Sequence, residues 1–286
     1  MNSAKLMSKN ISAFKCPLCE SEMRVEDLKS LKCSNNHTFD FAKQGYVNMV
    51  PHQSNSQYSK ELFEARQKII NDTDLYAVMH TNISSVIKEN IDITKYPFLM
   101  VDLGCGEGSH LQRIMNECKD GAITGIGLDI AKEGIIAAAK KHENSIWLVG
   151  DLAKSPLADQ SFQVILNILS PSNYKEFKRI LVENGLVIKV VPRSNYLKEL
   201  REALYENDHK REYKNDQTVS LFKQHFNLLE KINLSYTKKL TNEELEYLVT
   251  MTPLAWSGDQ KKVAAFRNRD SAEITVDLEI LVGINK

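Results

Sequence analysis

The sequence predicts an α/β protein, in which helices cover both faces of a mostly parallel sheet and a small metal-binding module precedes it. Three observations predict this fold. From Phe98 onward, short apolar runs of strand length alternate with segments of helical periodicity. The first run ends in a glycine-rich turn at 104–108, where a doubly wound sheet binds its ligand. Near the N-terminus, three cysteines and a histidine have the spacing of a zinc site.

Length and charge limit the classes of function. The 286 residues suffice for one large domain and a small one, and 37 basic and 37 acidic side chains give a net charge of zero. Balanced charge excludes a general polyanion binder. Residues 1–60 carry eight Lys or Arg against five Asp or Glu, which fits weak contact with a phosphate backbone. An ordinary solvated surface explains this small excess equally well.

Targeting and membrane segments are not evident in the sequence. The N-terminus has no secretory apolar region, and no run of eighteen apolar residues occurs. Three of the five cysteines belong to the predicted metal site. We therefore expect a reduced, cytoplasmic protein that does not enter the membrane.

The sequence divides into three predicted parts: a zinc-binding module at 1–50, a linker with helices at 51–95, and the α/β domain at 96–286. Residues 1–13 are polar and are expected to fray. The polar, aperiodic stretch 51–59 is typical of a linker or loop.

Periodicity predicts the elements of the second and third parts. Apolar residues at helical spacing indicate two helices between 60 and 90, broken near Asn71. Later strands are predicted at 98–101, 122–128, 146–149, 162–169, 186–191 and 273–282. Later helices are predicted at 109–119, 132–142, 194–205 and 243–251.

The metal-binding pattern consists of two tight ligand pairs. Two residues separate Cys16 from Cys19, thirteen separate Cys19 from Cys33, and three separate Cys33 from His37. Four protein ligands complete a tetrahedron, so the zinc would be structural rather than catalytic. The alternative is that the cysteines are simply small buried residues. A module of this size can hardly form a core alone, whereas zinc would contribute on the order of 10 kcal/mol to its folding.

The glycine-rich turn has the pattern G-x-G-x-G after an acid, within the run Asp102-Leu103-Gly104-Cys105-Gly106-Glu107-Gly108. This differs from the G-x-G-x-x-G of dinucleotide-binding proteins. It resembles the first motif of class I S-adenosylmethionine-dependent methyltransferases. Asp129 ends the next strand, where it would bind the ribose hydroxyls, and Asp151 follows the third strand, near the adenine edge. Alternatively, Asp129 is a helix N-cap and Asp151 a turn former.

The fourth strand ends at Asn167-Ile168-Leu169-Ser170-Pro171-Ser172. Methyltransferases that act on exocyclic amino groups usually carry an acid or amide, two prolines and an aromatic residue here. Their absence argues against adenine-N6 chemistry. Asn167 and Ser170 are candidates for orienting the substrate by hydrogen bonds, and Asn167 is equally well explained as a strand-end residue without a catalytic role.

Three sequence runs, at 37–48, 102–108 and 251–256, occur together in order. On these runs the chain resembles the RlmA/RrmA family of bacterial 23S rRNA guanine-N1 methyltransferases, from residue 16 to residue 280. The resemblance implies a class I, Rossmann-like methyltransferase domain with a mostly parallel seven-stranded sheet. It implies methyl transfer from S-adenosylmethionine to N1 of a guanine in a hairpin loop of 23S rRNA domain II, near the peptide exit tunnel. An effect on macrolide susceptibility and a tendency to form homodimers are also implied.

The resemblance carries over to individual residues. It makes Cys16, Cys19, Cys33 and His37 the zinc ligands. It maps cofactor contacts onto Tyr76, Gly106, Glu107, Asp129 and Tyr196. The glycine motif and the strand ends add Asp102, Gly104, Gly108, Asp151 and Leu152 to the predicted cofactor contacts. At Tyr196 the chain departs from the family, which has a histidine after a Gly-Pro-Arg turn. The stretch 51–59 is also less basic than in the family.

Two other functions fit parts of the sequence. One is a small-molecule methyltransferase with a zinc-stabilised N-terminus, and the other is a non-enzymatic zinc-finger RNA-binding protein whose cofactor fold is vestigial. The intact glycine motif argues against the second. Guanine N1 must lose a proton during methylation, and the sequence indicates no clear base. Phe39, Tyr46 and Trp256 are candidates for stacking on RNA, although such residues more often belong to a core.

Overall fold

The computed structural model describes residues 2–50, 58–94, 97–118, 123–205, 215–256 and 258–285. The N-terminal elements are α1 (Asn2–Lys9), β1 (Met23–Glu26), β2 (Ser30–Cys33), β3 (Thr38–Asp40) and β4 (Tyr46–Asn48). Strands β1, β2 and β3 form a small antiparallel sheet. Residues 51–57 of the predicted linker lie outside the described residues.

The larger part of the chain alternates strands and helices. Its strands are β5 (Phe98–Leu103), β6 (Ile123–Asp129), β7 (Ile146–Val149), β8 (Phe162–Ile168), β9 (Leu181–Pro192), β10 (Phe226–Thr241) and β11 (Ser271–Asn285). Its helices are α2 (Lys60–Asp72), α3 (Ala77–Asn90), α4 (Ser109–Glu117), α5 (Lys132–Lys141), α6 (Tyr174–Ile180), α7 (Lys198–Leu204), α8 (Asp216–His225), α9 (Asn242–Met251) and α10 (Gln260–Arg267).

The main sheet has the strand order β10-β11-β9-β8-β5-β6-β7-β4. All its neighbouring pairs are parallel except β10–β11 and β11–β9. The predicted α/β class is therefore confirmed. The seven strands expected of this class are β5 to β11, and β4 of the N-terminal module adds an eighth at the edge. Every residue of β5 is buried, as its apolar run predicts for a central parallel strand.

The N-terminal module is joined to the sheet rather than tethered beside it. In β4, Tyr46 lies opposite Trp147 of β7. Helix α1 buries Ala4 and Met7, and the Ser3 hydroxyl donates to the Gly45 carbonyl at 2.5 Å. The expected fraying is therefore wrong for the described residues 2–13, because the few apolar residues of this polar segment share one helix face and pack into the sheet's core.

Elements around the ligand crevice differ from prediction in their extent. Helices α2 and α3 occupy the predicted region and are separated by a turn after Asp72. The helix predicted at 194–205 begins only at Lys198, because Arg193–Leu197 forms turns and Leu197 has a φ of 51°. Among the described residues, no helix is long and apolar enough to cross a membrane.

Candidate active site and zinc centre

The four predicted zinc ligands meet in space. The ligand atoms of Cys16, Cys19, Cys33 and His37 all lie within 4.8 Å of one another. The His37 Nδ1 atom is 3.5 Å from the sulfurs of Cys16 and Cys33, and the sulfurs of Cys19 and Cys33 are 3.7 Å apart. These distances match the edges of a tetrahedron with Zn–S bonds of about 2.3 Å. The arrangement fits one zinc ion with no coordination position left for a substrate.

A cavity of about 1110 Å³ opens at the carboxyl ends of the parallel strands. The strand order reverses between β5 and β8, which makes this the ligand crevice of a doubly wound sheet. The predicted site residues that line the cavity are Tyr76, Asp102, Gly104, Asp129, Asp151, Leu152, Ser170 and Tyr196. Those outside its lining are Gly106, Glu107, Gly108 and Asn167.

The glycine turn brings its backbone close to the neighbouring structure. Gly104 has a φ of +83°, and a Cβ atom there would lie 1.8 Å from the Ser170 Oγ atom. Gly108 has a φ of +80°, and its Cβ would lie 2.3 Å from the Trp147 ring. Both positions therefore require glycine for conformation and for space. Because Gly104 has no side chain, the loop that carries Ser170 can pack directly against the glycine turn at the cavity.

Asp102 presents a buried carboxyl group to the cavity. Asp102 is 1% exposed, and its Oδ1 atom has no hydrogen-bond partner in the described part of the chain. Burial, followed by the charges of Asp129 and Glu107, holds its pKa well above the ordinary range. An unpartnered buried acid is costly unless a ligand completes it. The ammonium group of S-adenosylmethionine, the predicted cofactor, would be such a ligand.

Asp129 connects the second parallel strand to the glycine turn. Its Oδ2 atom accepts a hydrogen bond from the Gly106 N–H at 2.7 Å, and its Oδ1 atom accepts from the Ala131 N–H at 2.8 Å. It also lines the cavity. Asp129 thus orders the start of α5 and remains available on the cavity side, where ribose hydroxyls would donate to it.

Asp151 lies at the rim of the cavity, where it is exposed. Its Oδ1 atom accepts from the Ala153 N–H at 2.8 Å and caps a short 3₁₀ turn over Leu152–Lys154. Both the turn-forming role and the position expected for adenine contact are therefore compatible with the geometry.

Glu107 belongs to the glycine turn, and its side chain is buried. Its carboxylate accepts hydrogen bonds from the hydroxyl and the N–H of Ser109 at the start of α4. Burial is the main reason that its pKa rises to about 7. The geometry supports a role in ordering the turn.

Glu107 makes the folded state less stable as the pH rises. Its pKa is raised from 4.5 to about 7 on folding, so the folded protein binds the extra proton and stability falls across this window. We expect Glu107→Gln to remove this loss and to raise the free energy of unfolding at pH 8 by up to about 3 kcal/mol, with little change near pH 4. Urea unfolding of the cofactor-free protein at both values tests this. An equal difference between variant and wild type at both pH values would contradict it.

Two tyrosines from distant parts of the chain meet at the cavity wall. The hydroxyls of Tyr76 and Tyr196 are 2.6 Å apart. His110 packs edge-on against Tyr76, with ring centroids 5.3 Å apart, and its Nδ1 atom is 2.8 Å from the His80 Nε2 atom. Burial holds the pKa of His110 well below its ordinary value, so this ring is neutral. The residue that departs from the family pattern, Tyr196, therefore still contributes to the site.

Arg66 was not predicted, yet it lines the cavity. It extends from α2, and its Nη1 atom lies 3.0 Å from the position of a Cβ on Gly106. Its positive charge lowers the pKa values of Glu107 and Asp129, but burial raises both values by more. The helical spacing of α2 identifies its buried face but does not indicate that one arginine reaches the glycine turn.

Asn167 supports the cavity from behind. Its amide nitrogen donates to the carbonyls of Leu103 and Pro171 at 2.8 and 2.9 Å. Its Oδ1 atom accepts from the Ser172 hydroxyl at 2.9 Å and from the Lys189 Nζ atom at 2.7 Å. The side chain is fully buried. Its amide is thus engaged in holding the 170–172 loop, and Ser170 is the member of the predicted pair that faces the cavity.

Comparison with known proteins agrees with both halves of this architecture. The family described as RlmA, N-terminal, a zinc ribbon, matches residues 14–57, and the family described as a methyltransferase domain matches residues 100–185. YxjB of Bacillus subtilis (strain 168), whose name assigns it provisionally as a 23S rRNA (guanine-N1)-methyltransferase, is 40% identical over 277 residues. That alignment covers 96% of this chain and 98% of YxjB. The chain belongs to the RlmA family.

A second relative is the 23S rRNA (guanine(748)-N(1))-methyltransferase of Streptomyces fradiae. It is 30% identical over 260 residues, which cover 90% of this chain and 91% of that protein. As a member of the RlmA family, the chain is a methyltransferase with S-adenosylmethionine as methyl donor and zinc as a structural ion. When bound, the cofactor supplies an activated methyl group on its sulfonium.

Proposed function

We propose that this RlmA-family protein methylates N1 of one guanine in a hairpin loop of 23S rRNA domain II, near the peptide exit tunnel. The observation that carries the proposal is the division of one cavity into two halves. Asp102, Asp129 and Asp151 lie at the ends of β5, β6 and β7, where they would hold the cofactor. The other half, at the ends of β8 and β9, remains for a planar base.

The names of both relatives support this substrate, since each specifies the N1 atom of a guanine in 23S rRNA. Methyl transfer requires N1 to lie in line with the sulfonium, and correct placement can contribute several kcal/mol to lowering the barrier. The base must leave its stack to enter the cavity, which costs least in a hairpin loop.

A pair of partly exposed aromatic residues supports entry of an unstacked base, since Tyr58 lines the cavity and Trp256 packs against Tyr58. The rings of Tyr58 and Trp256 have centroids 5.5 Å apart, and their side chains are 39% and 45% exposed. Tyr46 is buried, in contrast, and belongs to the core. Of the predicted stacking residues, Trp256 is therefore the one best placed to contact RNA.

The direct test is methylation of rRNA from a strain that lacks this gene, followed by mapping of reverse-transcriptase stops. Methylation at N1 blocks the Watson–Crick edge, so we expect a single new stop at a guanine of the domain II hairpin. Asp102→Ala, which removes the predicted ammonium contact, is the matched inactive control. Intact cofactor binding without a stop on naked or assembling rRNA would contradict the proposal and favour a small-molecule substrate.

Three further points belong to this proposal. The module at 1–50 would recognise RNA, the linker and helices at 51–95 would connect it to the catalytic domain at 96–286, and the protein would act in the cytoplasm. Methylation would alter macrolide susceptibility. This can be tested by comparing growth of a deletion strain and its parent on macrolides. A homodimer, as the resemblance implies, would be detected by analytical ultracentrifugation.

A further inference from the structure

Lys189 is a buried lysine at the substrate half of the cavity. It lies on β9 opposite Asn167 of β8, is 4% exposed and contributes to the cavity lining. Its Nζ atom donates to the Asn167 Oδ1 atom at 2.7 Å and to the Ser170 carbonyl at 3.0 Å. An ammonium group has three N–H donors, so one is left for a further acceptor. The protein holds this cation in a fixed place beside Ser170.

In the described part of the chain, no carboxylate lies within ion-pair distance of Lys189. The buried acids of the neighbouring strand β11 are otherwise engaged, since Asp277 pairs with Arg193 at 2.9 Å and Glu279 pairs with Lys231 at 2.9 Å. Burial, with no acid to oppose it, lowers the pKa of Lys189 to about 8. A buried cation without a counter-ion is costly, so a partner that brings negative charge into the cavity would stabilise it.

The order of the strands indicates which ligand would supply that charge. The three acids predicted to hold the cofactor, Asp102, Asp129 and Asp151, lie at the ends of β5, β6 and β7, away from β9. Lys189 and Ser170 lie on the opposite side of the switch point, at the ends of β9 and β8. The group that reaches Lys189 is therefore the methyl acceptor. Guanine carries a carbonyl oxygen, O6, directly beside N1.

We propose that the Lys189 ammonium donates a hydrogen bond to O6 of the target guanine and stabilises the negative charge that forms when N1 loses its proton. This inference rests on the proposed function. The N1 proton leaves to water at the open mouth of the cavity, and the remaining charge is shared by N1 and O6. The N1 lone pair then forms the N–CH₃ bond while the S–CH₃ bond breaks and its electrons stay on sulfur. Both products are neutral, and Lys189 keeps its own proton.

The first test measures ionisation of the base without methyl transfer. The full-length protein is mixed with S-adenosylhomocysteine and a domain II hairpin carrying 6-thioguanosine at the target position, whose ultraviolet absorption changes when N1 ionises. We expect the bound base to ionise about one pH unit or more below the free hairpin. In Lys189→Met this shift should disappear, and in Lys189→Arg, which keeps the charge, it should persist in part. The same midpoint in wild type and Lys189→Met would overturn the proposal.

The second test follows single-turnover methylation of the unmodified hairpin as a function of pH. We expect Lys189→Met to be slower by about 100-fold near pH 7 and to recover as the pH rises, because hydroxide then removes the proton without help. Calorimetric affinity for S-adenosylhomocysteine should stay within about twofold of wild type, which shows that the cofactor half is intact. If Lys189→Met fails to fold, Lys189→Gln takes its place, and both measurements compare wild type, Lys189→Gln and Lys189→Arg.

The outcomes separate the two proposals. A wild-type protein that methylates the hairpin, together with a Lys189→Met variant of unchanged rate and pH profile, would overturn the role of Lys189 alone. A wild-type protein that binds cofactor but neither binds nor methylates the hairpin would overturn the proposed function, and the role of Lys189 with it.

Discussion

Cys33→Ser should abolish zinc binding and unfold the N-terminal module while leaving the catalytic domain folded. Cys33 is fully buried and its sulfur lies 3.7 Å from that of Cys19 and 3.5 Å from the His37 Nδ1 atom. Zinc binding in small modules of this kind contributes about 10 kcal/mol or more to folding. We expect the zinc content to fall from one ion per chain to nearly none.

Unfolding of the module should also destabilise the main sheet, without unfolding it. Strand β4 pairs with β7, and Met7 and Phe14 belong to the same apolar core as Leu128. Limited proteolysis should therefore cleave the variant before residue 50 at least tenfold faster than wild type, and its thermal transition should move down. Cys118→Ser, which alters a buried thiol away from the metal cluster, is the matched control and should keep its zinc. A Cys33→Ser protein with full zinc content would disprove the assignment.

Gly104→Ala should strongly weaken cofactor binding. The residue has a φ of +83°, and the new Cβ would lie 1.8 Å from the Ser170 Oγ atom. Left-handed backbone at a non-glycine residue costs about 1–3 kcal/mol, and the clash must move either the glycine turn or the 170–172 loop. Since both line the cavity, we expect the dissociation constant of S-adenosylhomocysteine to rise at least tenfold by calorimetry.

Two further variants separate the causes of that loss. Gly104→Ala combined with Ser170→Gly removes the clash but keeps the backbone strain, so affinity should recover in part. Gly258→Ala is a matched control, because the nearest atoms to its Cβ lie at ordinary distances of 3.4 and 3.6 Å. Wild-type affinity in Gly104→Ala would show that the turn does not constrain the cofactor.

The local features of the site could be predicted from the sequence because short segments encode them. The spacing of Cys16, Cys19, Cys33 and His37 requires only a hairpin to bring the pairs together. Asp102 and Asp129 follow apolar strands, and the carboxyl ends of neighbouring parallel strands lie at one edge of a sheet. These predictions depend on fewer than thirty consecutive residues each. The structure brings the four zinc ligands together and places Asp102 and Asp129 in the lining of one cavity, while their contact with the cofactor stays a prediction.

Elements with weak local signals escaped prediction. Strand β10 (Phe226–Thr241) is exposed along most of its length because it forms an edge of the sheet. It therefore lacks the apolar run that marks β5. Helix α1 was mistaken for a frayed end, since its stabilising contacts, such as that of Ser3 with Gly45, come from residues far along the chain.

The sequence alone determined the fold class, the Cys/His cluster of the zinc site and the positions of Asp102 and Asp129 at strand ends, because each follows from a local pattern of spacing or periodicity. Only the tertiary structure decided which side chains share the reaction cavity. It brought Tyr76 to Tyr196 across 120 residues and placed Lys189 against Asn167 across 22. Such contacts depend on strand order and on the packing of α2 and α3 over the crevice. No local pattern encodes those long-range arrangements, so the proposed role of Lys189 could be inferred only from the folded chain.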